Sequence, residues 1–164
     1  MKRSETSIKT ERLWLRQIDE TDAYAITSLR SDEGVYRFFF NPVKLTLDEH
    51  NRWYQDKYIK SADRIDWIAV DDGMGAFIGV YGARKIRNDA IQVSYITSPN
   101  YKKCGYASEA VVAIMAWCKV KWNACYALAC IHSGNLASIH FANRLGFKEY
   151  TRNKEFIKMR RDLQ

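Results

Sequence analysis

Residues 101–110, which read YKKCGYASEA, place a glycine, two lysines and several small residues at the start of a clear helical pattern. Gly105, Ala107 and Ser108 leave the backbone accessible, and Lys102 and Lys103 add positive charge. The first N–H groups of a helix have no partner within it and carry the positive end of its dipole. The segment therefore predicts a binding site for an anion such as a diphosphate.

Two common phosphate motifs do not describe this segment. It contains neither G-x-x-x-x-G-K-[ST] nor G-x-G-x-x-G, so it is not a P-loop or a dinucleotide fingerprint. A glycine turn with surface lysines would explain the same ten residues without any ligand. The segment alone leaves both interpretations open.

Length and composition limit the class of protein. The 164 residues, 47% hydrophobic and 27% charged, are typical of a soluble globular protein and predict one domain over 1–164. The N-terminal MKRSETSIKTERLWLRQ lacks an apolar core, and no apolar run could span a bilayer, so we expect a cytoplasmic protein without a membrane partner.

Charge and cysteines argue against two further classes. The net charge of +7 is spread over small clusters and not along one basic stripe, so no nucleic-acid partner is expected. The cysteines form no C-x-x-C pair and have no histidine at zinc-finger spacing, so no metal is expected either. They are Cys104, Cys118, Cys125 and Cys130.

The elements that must position the anion segment alternate between strands and helices. Hydrophobic periodicity and turn residues predict strands at 8–18, 65–72, 75–85, 89–99 and 124–132. Helices are predicted at 19–31, 46–61, 105–119 and 135–146. Residues 147–163 should form a strand pair or one long strand. The order β-α-α-β-β-β-α-β-α-β indicates a mixed α/β domain, with the anion segment between the fourth strand and the third helix.

Three segments together resemble the GCN5-related N-acetyltransferase (GNAT) superfamily, in the branch of the ribosomal-protein-alanine acetyltransferases. ITSPNYKKCGYASEA is similar to the family pattern P-x-[YF]-R-G-x-G-Y-A-x-E-A, and NLASIHFANRLGF to N-x-x-[SA]-x-x-x-x-x-x-x-G-F. TERLWLR resembles the first strand, T-x-R-L-x-L-R. The matched positions in the first two are Pro99, Tyr101, Gly105, Tyr106, Ala107, Glu109 and Ala110, then Asn135, Ser138, Gly146 and Phe147.

The resemblance implies a fold and a co-substrate. The GNAT fold has a mixed central sheet of about six to seven strands, flanked by about four helices and splayed at strands four and five. The co-substrate is acetyl-CoA, with its diphosphate on main-chain N–H groups and its pantetheine arm along residues 95–98. Lys102 replaces the usual Arg or Gln, and Lys103 a usual glycine. The implied cofactor-binding residues are Ile96, Thr97, Ser98, Lys102, Lys103, Cys104, Gly105, Tyr106, Ala107, Ser108, Asn135, Ser138 and Phe141.

The implied reaction is direct attack of a primary amine on the acetyl thioester, with an oxyanion donor on strand four near Ile96 or Thr97. The positions of the usual acid and base are Ala142 and Gln92, which cannot exchange protons. Ser138 could replace the acid, with His140 beside it. The candidates for the base are His50, Glu49, Tyr95 and Asp66. His50 ranks first because a neutral imidazole titrates near neutral pH.

Residues 29–58 should bind the acceptor, and they resemble the branch that acetylates the 4-amino group of nucleotide-linked sugars. Arg30 would bind phosphate, while Trp53 and Tyr54 would stack on a base or sugar. Alternatively, both rings pack a helix onto the sheet. Peptide N-termini, polyamines and small amines remain alternative acceptors. A non-catalytic acyl-CoA-binding module is the alternative class, favoured by Gln92 and Ala142, and a basic nucleic-acid binder is a third. The protein is expected to be a monomer or homodimer.

Overall fold

The computed structural model describes residues 6–164, and within them eight strands form one mixed sheet. The strands are β1 Ser7–Lys9, β2 Leu13–Gln17, β3 Arg64–Asp71, β4 Phe77–Arg87, β5 Ala90–Thr97, β6 Tyr126–His132, β7 Lys148–Arg152 and β8 Phe156–Asp162. Their order across the sheet is β1-β2-β3-β4-β5-β6-β8-β7. The α-helices are α1 Ala23–Arg30, α2 Glu33–Tyr36, α3 Leu47–Trp53, α4 Tyr106–Trp122 and α5 Leu136–Arg144. The predicted α/β GNAT fold is confirmed, with more strands than expected.

The additional strand comes from the start of the described chain. Residues 8–18 were predicted as one strand, but the chain turns at 10–12 and β1 pairs antiparallel with β2. The amide of Thr10 donates to the carbonyl of Leu13 over 2.9 Å, which closes this turn. Within β2 the alternation is as predicted, because Leu13 and Leu15 are fully buried while Trp14 is exposed. The turn carries Arg12 towards the start of α4.

Helix α3 begins where the sequence predicts but ends earlier, whereas the helix predicted over 19–31 begins with a 3-10 turn at Glu20–Asp22 and is α-helical only from Ala23. Thr46 caps α3 and forms the predicted capping box with Glu49. The predicted helix over 46–61 is α-helical only to Trp53 and continues as one π-helical turn, Tyr54–Tyr58. The short helix α2 was not predicted. Such π-helical turns often lie at functional sites, because they redirect side chains.

The predicted splay lies between β5 and β6, the fourth and fifth strands of the sequence prediction. These strands pair in parallel only where Ala90, Ile91 and Gln92 face Tyr126, Ala127 and Leu128. Beyond Gln92 they diverge, while β6 remains paired with β8 along its whole length. The second half of β5 therefore has one edge on β4 and the other on an open gap.

The two faces of the sheet carry different layers. Helices α4 and α5 cover one face and pack into the larger core, with Ile114, Met115 and Phe141 among its buried members. Helices α1 and α3 and the π-helical turn cover the other face around a smaller core of Ile18, Ile26, Tyr58 and Ile68. No helix in residues 6–164 is long and apolar enough to cross a bilayer.

Candidate active site

The loop between β5 and α4 presents its main-chain amides outward. A 3-10 turn at Pro99–Tyr101 follows β5, and Gly105 is the N-cap of α4. Lys103 and Gly105 both have positive φ, 63° and 83°. Among residues 6–164 no acceptor is found for the amides of 105–108, whereas the next amide, of Glu109, donates to the carbonyl of Gly105. This run of unpaired N–H groups is a cradle for an anion.

Side chains from two neighbouring turns hold this cradle from behind. Arg12, in the β1–β2 turn, donates from Nε to Glu109 of α4 over 2.8 Å and from its guanidinium to the carbonyl of Cys104 over 3.0 Å. Its guanidinium also lies 4.4 Å from the centre of the Tyr106 ring. The Tyr106 hydroxyl donates to Asp71, at the β3–β4 turn, over 2.7 Å. Two positions of the resemblance motif, Tyr106 and Glu109, thus serve to anchor the loop.

These contacts fix the charge of the anchoring carboxylates. Burial alone would raise the pKa of Glu109, but hydrogen bonds from Thr10 and Arg12 hold that pKa below its ordinary value. The hydrogen bond from Tyr106 likewise lowers the pKa of Asp71. Both carboxylates are ionised at neutral pH, so the cradle is held by charged acceptors.

Two predicted residues meet at the open edge of β5. The hydroxyls of Tyr95 and Ser138 lie 2.9 Å apart, and the Tyr95 ring lies 4.8 Å from that of Phe141. Burial raises the pKa of Tyr95 although its bond to Ser138 opposes the shift. The sequence prediction named Tyr95 and Ser138 separately, without indicating that they form a pair.

The remaining predicted residues on this face take part in local structure. Asn135 caps α5 by accepting from the Ser138 amide over 3.2 Å, which leaves its side-chain nitrogen without an acceptor within residues 6–164. The Thr97 hydroxyl lies 2.7 Å from that of Tyr81, whose pKa burial raises to about 12. Ala142 is buried, as befits a core residue.

The opposite face of the sheet carries the predicted acceptor residues. His50 is buried, with its ring 5.5 Å from Trp53 and 6.5 Å from Tyr54. The guanidinium of Arg64 lies 5.0 Å from the Trp53 ring, and that of Arg30 lies 5.0 Å from Phe39. The aromatic rings therefore pack the helix against the sheet, and they also line a cluster of charged and polar groups.

Two nitrogens in this cluster are buried without partners. Arg30 Nε and His50 Nε2 are shielded from solvent and make no hydrogen bond. Burial, assisted by repulsion from Arg64, lowers the pKa of Arg30. Burial, assisted by repulsion from Arg30, lowers the pKa of His50. A buried nitrogen without a hydrogen bond is costly, so these two nitrogens indicate a place where a hydrogen-bond partner is missing.

The absence of a side chain at Gly82 lets the Asp66 carboxylate lie close to strand β4 on this face of the sheet. A Cβ atom at Gly82 would lie 2.1 Å from Asp66 Oδ1 and 2.8 Å from Ser94 Oγ, so only glycine fits between them. Asp66 is buried and accepts from Arg64 Nε over 2.7 Å. Strand alternation places Gln92 on the same face as Ser94. Its side-chain oxygen accepts from Arg84 over 3.3 Å.

The predicted proton-transfer residues therefore do not form one group. Tyr95 and Ser138 lie on the face of α4 and α5, whereas His50 lies on the face of α1 and α3. The Glu49 carboxylate is engaged by the amide and hydroxyl of Thr46, and the amide bond in particular lowers its pKa. Glu49 is exposed and serves the helix cap. No cluster of histidine, cysteine, aspartate or glutamate in the described chain could hold a metal.

Two anchoring interactions were not predicted from the sequence. Arg12 and Glu109 both fall in quoted motifs, but they are far apart along the chain and nothing in the spacing indicates that they pair. Asp71 was considered only as the end of a strand. An acidic residue one turn into a helix that also exposes its amides is the signal that could have suggested a cationic partner.

Comparison with known proteins gives the family and the fold. The sequence profile of a family described as an acetyltransferase (GNAT) domain matches residues 12–148. No curated protein sequence matches the chain. The solved structure of RimL, a ribosomal L7/L12 α-N-protein acetyltransferase in complex with CoA, gives a TM-score of 0.84 at 16% identity, covering 96% of this chain and 98% of that one.

Two further solved structures show the range of acceptors that this fold serves. Spermidine N-acetyltransferase from Vibrio cholerae, in complex with CoA and spermine, gives a TM-score of 0.82 at 17% identity, covering 92% of this chain and 95% of that one. FdhC, described as a nucleotide-linked sugar GNAT, gives 0.82 at 14% identity, covering 97% and 91%. At these identities the similarity shows the fold and leaves the acceptor open.

Proposed function

The chain belongs to the GNAT acetyltransferase family and is an acetyl-CoA-dependent N-acetyltransferase, and we propose that its acceptor is the amine of a nucleotide-linked sugar. The observation that carries this proposal is the buried Arg30 Nε, a donor without a partner, in the cluster that also holds His50 and Trp53. A phosphate or another anionic group of the acceptor would satisfy donors there.

Charge on the acceptor face favours this class over a polyamine. Arg30 and Arg64 lie close enough for their repulsion to lower the pKa of Arg30. The buried carboxylates of this cluster are already paired, Asp66 with Arg64 and Asp22 with Arg16. A polycation would meet net positive charge at this site, whereas a phosphate-bearing amine would be attracted.

We propose that acetyl-CoA lies on the other side of the splayed strands. Bound there, it supplies the thioester that the amine attacks and leaves as the thiol. The amides of 105–108 fit its diphosphate because they are unpaired and Gly105 leaves them uncovered. Lys102 and Lys103 are exposed beside them and add attraction for phosphate.

The Tyr95–Ser138 pair is proposed to deliver a proton to the departing sulfur. Ser138 takes over the role of acid, which Ala142 cannot perform. Tyr95 orients the Ser138 hydroxyl, from which its own hydroxyl lies 2.9 Å away. The raised pKa of Tyr95 keeps that hydroxyl protonated at neutral pH. Either residue can be the donor in this bond, so a proton can pass along it.

His50 is proposed as the base that removes a proton from the acceptor nitrogen. Its lowered pKa keeps the imidazole neutral, and its Nε2 has no partner. Because the ring is buried beneath Trp53, the proton would reach it through water. The proposal leaves Glu49 at the helix cap, where its carboxylate is already bonded.

A coupled assay of CoA release tests the acceptor. Purified protein is supplied with acetyl-CoA and, separately, a nucleotide-linked amino sugar, the sugar without its nucleotide, a peptide and spermidine. The proposal expects release with the first and at least about tenfold less with the free sugar, because the phosphates supply binding energy. Preference for the peptide or spermidine would overturn it. No release with any of the four candidate acceptors, despite CoA binding by calorimetry, would favour the non-catalytic module.

A further inference from the structure

We propose that Arg12 is a positioning residue for the diphosphate of acetyl-CoA, acting through the peptide unit between Cys104 and Gly105. This inference rests on the proposed placement of the cofactor in the loop before α4. The hydrogen bond from Arg12 to this loop goes to a carbonyl and not to the unpaired amides that would face the diphosphate. Arg12 reaches the loop from behind, through the carbonyl of Cys104.

The direction of one amide follows from that bond. In a trans peptide the C=O of one residue and the N–H of the next point in opposite directions. The structure contains no cis peptide among the described residues. Because Arg12 draws the Cys104 carbonyl towards itself, the Gly105 amide must point away from Arg12. That amide belongs to the unpaired run at the mouth of the cradle.

Arg12 is itself fixed at every part of the residue. Its amide donates to Glu109 Oε1 over 2.7 Å, and its Nε donates to Glu109 Oε2 over 2.8 Å. Its carbonyl accepts from the Asp72 amide over 2.8 Å. Glu109 Oε1 also accepts from the Thr10 hydroxyl over 2.5 Å. The β1–β2 turn, the β3–β4 turn and α4 therefore meet at this arginine.

The backbone on either side of Cys104 requires such support. Lys103 has a left-handed φ of 63°, an unfavourable conformation for a residue with a Cβ, and Gly105 follows at 83°. A loop with this conformation persists when contacts outside it fix it. Arg12 supplies two of them, the bond to the Cys104 carbonyl and the stacking on Tyr106.

The test compares CoA with pantetheine, which lacks the entire 3′-phosphoadenosine diphosphate part of CoA. The Kd of CoA is measured by calorimetry and that of pantetheine by ligand-detected NMR. Arg12→Gln should weaken CoA about tenfold, the loss expected when a charged donor no longer orders the loop, and leave pantetheine within about twofold. Arg12→Lys should fall between, because lysine keeps the charge without the guanidinium fork. If Arg12→Gln fails to fold, Arg12→Lys carries the same comparison.

Lys9→Gln is the matched control. Lys9 is a nearby cation that pairs with Asp72 and lies over Trp14, without touching the loop before α4. It should leave both affinities unchanged. An unchanged CoA affinity in the Arg12 variants would overturn the inference, as would an equal loss for both ligands with a lower Tm. Wild-type protein that binds CoA no more tightly than pantetheine would instead overturn the placement of the cofactor.

Discussion

The two faces of the splayed sheet offer a ligand different kinds of groups. On the face of α4, the candidate groups are main-chain amides, held by Arg12, Glu109 and Asp71 with every anchoring carboxylate bonded. On the face of α1 and α3, the candidate groups are side chains, and Arg30 and His50 keep buried nitrogens without partners. The groups that anchor the first site are all bonded before a ligand binds, whereas the second site leaves the buried Arg30 Nε without a hydrogen-bond acceptor.

This difference distinguishes binding of the common co-substrate, for which a backbone cradle is enough, from selection of the amine acceptor, for which side chains are needed. A backbone cradle tolerates changes of side chain, which is why lysines can stand at 102 and 103 without removing the donors. Side-chain recognition changes with each substitution, and solved structures of the same fold are described with polyamine, protein and sugar substrates. The predictions below test whether the two faces can be damaged independently.

The largest effect is expected from Gly105→Glu. The new side chain would stand at a left-handed φ of 83° with its Cβ 3.2 Å from Arg12 Nη2, and it would bring a negative charge beside the diphosphate cradle. CoA affinity should fall by about a hundredfold or more, measured by calorimetry, from lost amide geometry and charge repulsion together. Gly75→Glu is the control, since Gly75 has φ of 67° in an open turn with no atom near its Cβ position. Unchanged CoA affinity in Gly105→Glu would remove the cradle assignment.

The contrast between the faces also explains what the sequence could predict. The cradle depends on small residues at consecutive positions and on the start of an amphipathic helix, and both are local patterns. The splay was implied by the family resemblance and needs only that β5 and β6 part after a short pairing, as they do beyond Gln92. Local patterns were therefore enough for most of the order of strands and helices, the family resemblance was needed for the fold and its splay, and the ligand of the cradle stays a prediction.

Pairings between distant residues could not be predicted in this way. Arg12 and Glu109 are 97 residues apart, and Tyr95 and Ser138 are 43 apart. Their contact depends on how strands and helices are placed in three dimensions. The burial of His50 likewise depends on how α3 packs, and the sequence around it does not indicate this. The division of residues 8–18 into two strands was missed because Thr10 and Arg12 fit a strand pattern as well as a turn.

Ser138→Ala should produce the next largest effect and leave the cradle intact. Losing the hydroxyl removes the proposed proton donor, so kcat should fall about a hundredfold in the CoA-release assay. The Kd of CoA should stay within about twofold, since Ser138 is not proposed to hold the diphosphate. Tyr95→Phe removes the same hydrogen bond, and the double variant should lose little more than the larger single loss.

Ser133→Ala is the control for Ser138→Ala, because Ser133 lies just before α5 and its hydroxyl donates to the carbonyl of Lys154, away from Tyr95. It should leave kcat unchanged. A Ser138→Ala enzyme with normal kcat would assign the proton transfer to another group. Additive losses in the double variant would show that Tyr95 and Ser138 act separately.

Arg30→Gln should affect only the opposite face. The KM for a nucleotide-linked amino sugar should rise about tenfold, because an anionic group of the acceptor loses its charged partner. CoA affinity should not change. The Tm should hold or rise, because the variant removes a buried charge whose Nε has no partner. Arg37→Gln is the control, an exposed arginine that lies over Phe38, and an equal KM change there would point to general surface charge.

The smallest effect concerns the pH dependence of stability through His50. Burial and the nearby Arg30 lower the pKa of His50 from 6.5, so below that pH the unfolded chain binds a proton that the folded chain does not. The free energy of unfolding should therefore decrease as the pH falls below about 6.5, until the folded imidazole is also protonated. The slope cannot exceed that of one proton. Urea unfolding of the wild type and of His50→Gln at a series of pH values measures it, and the variant should show a flatter profile. Parallel profiles would mean that the folded state accepts the proton as readily as the unfolded state. His50 would then be in contact with solvent, and its proposed role as a buried base would be weakened.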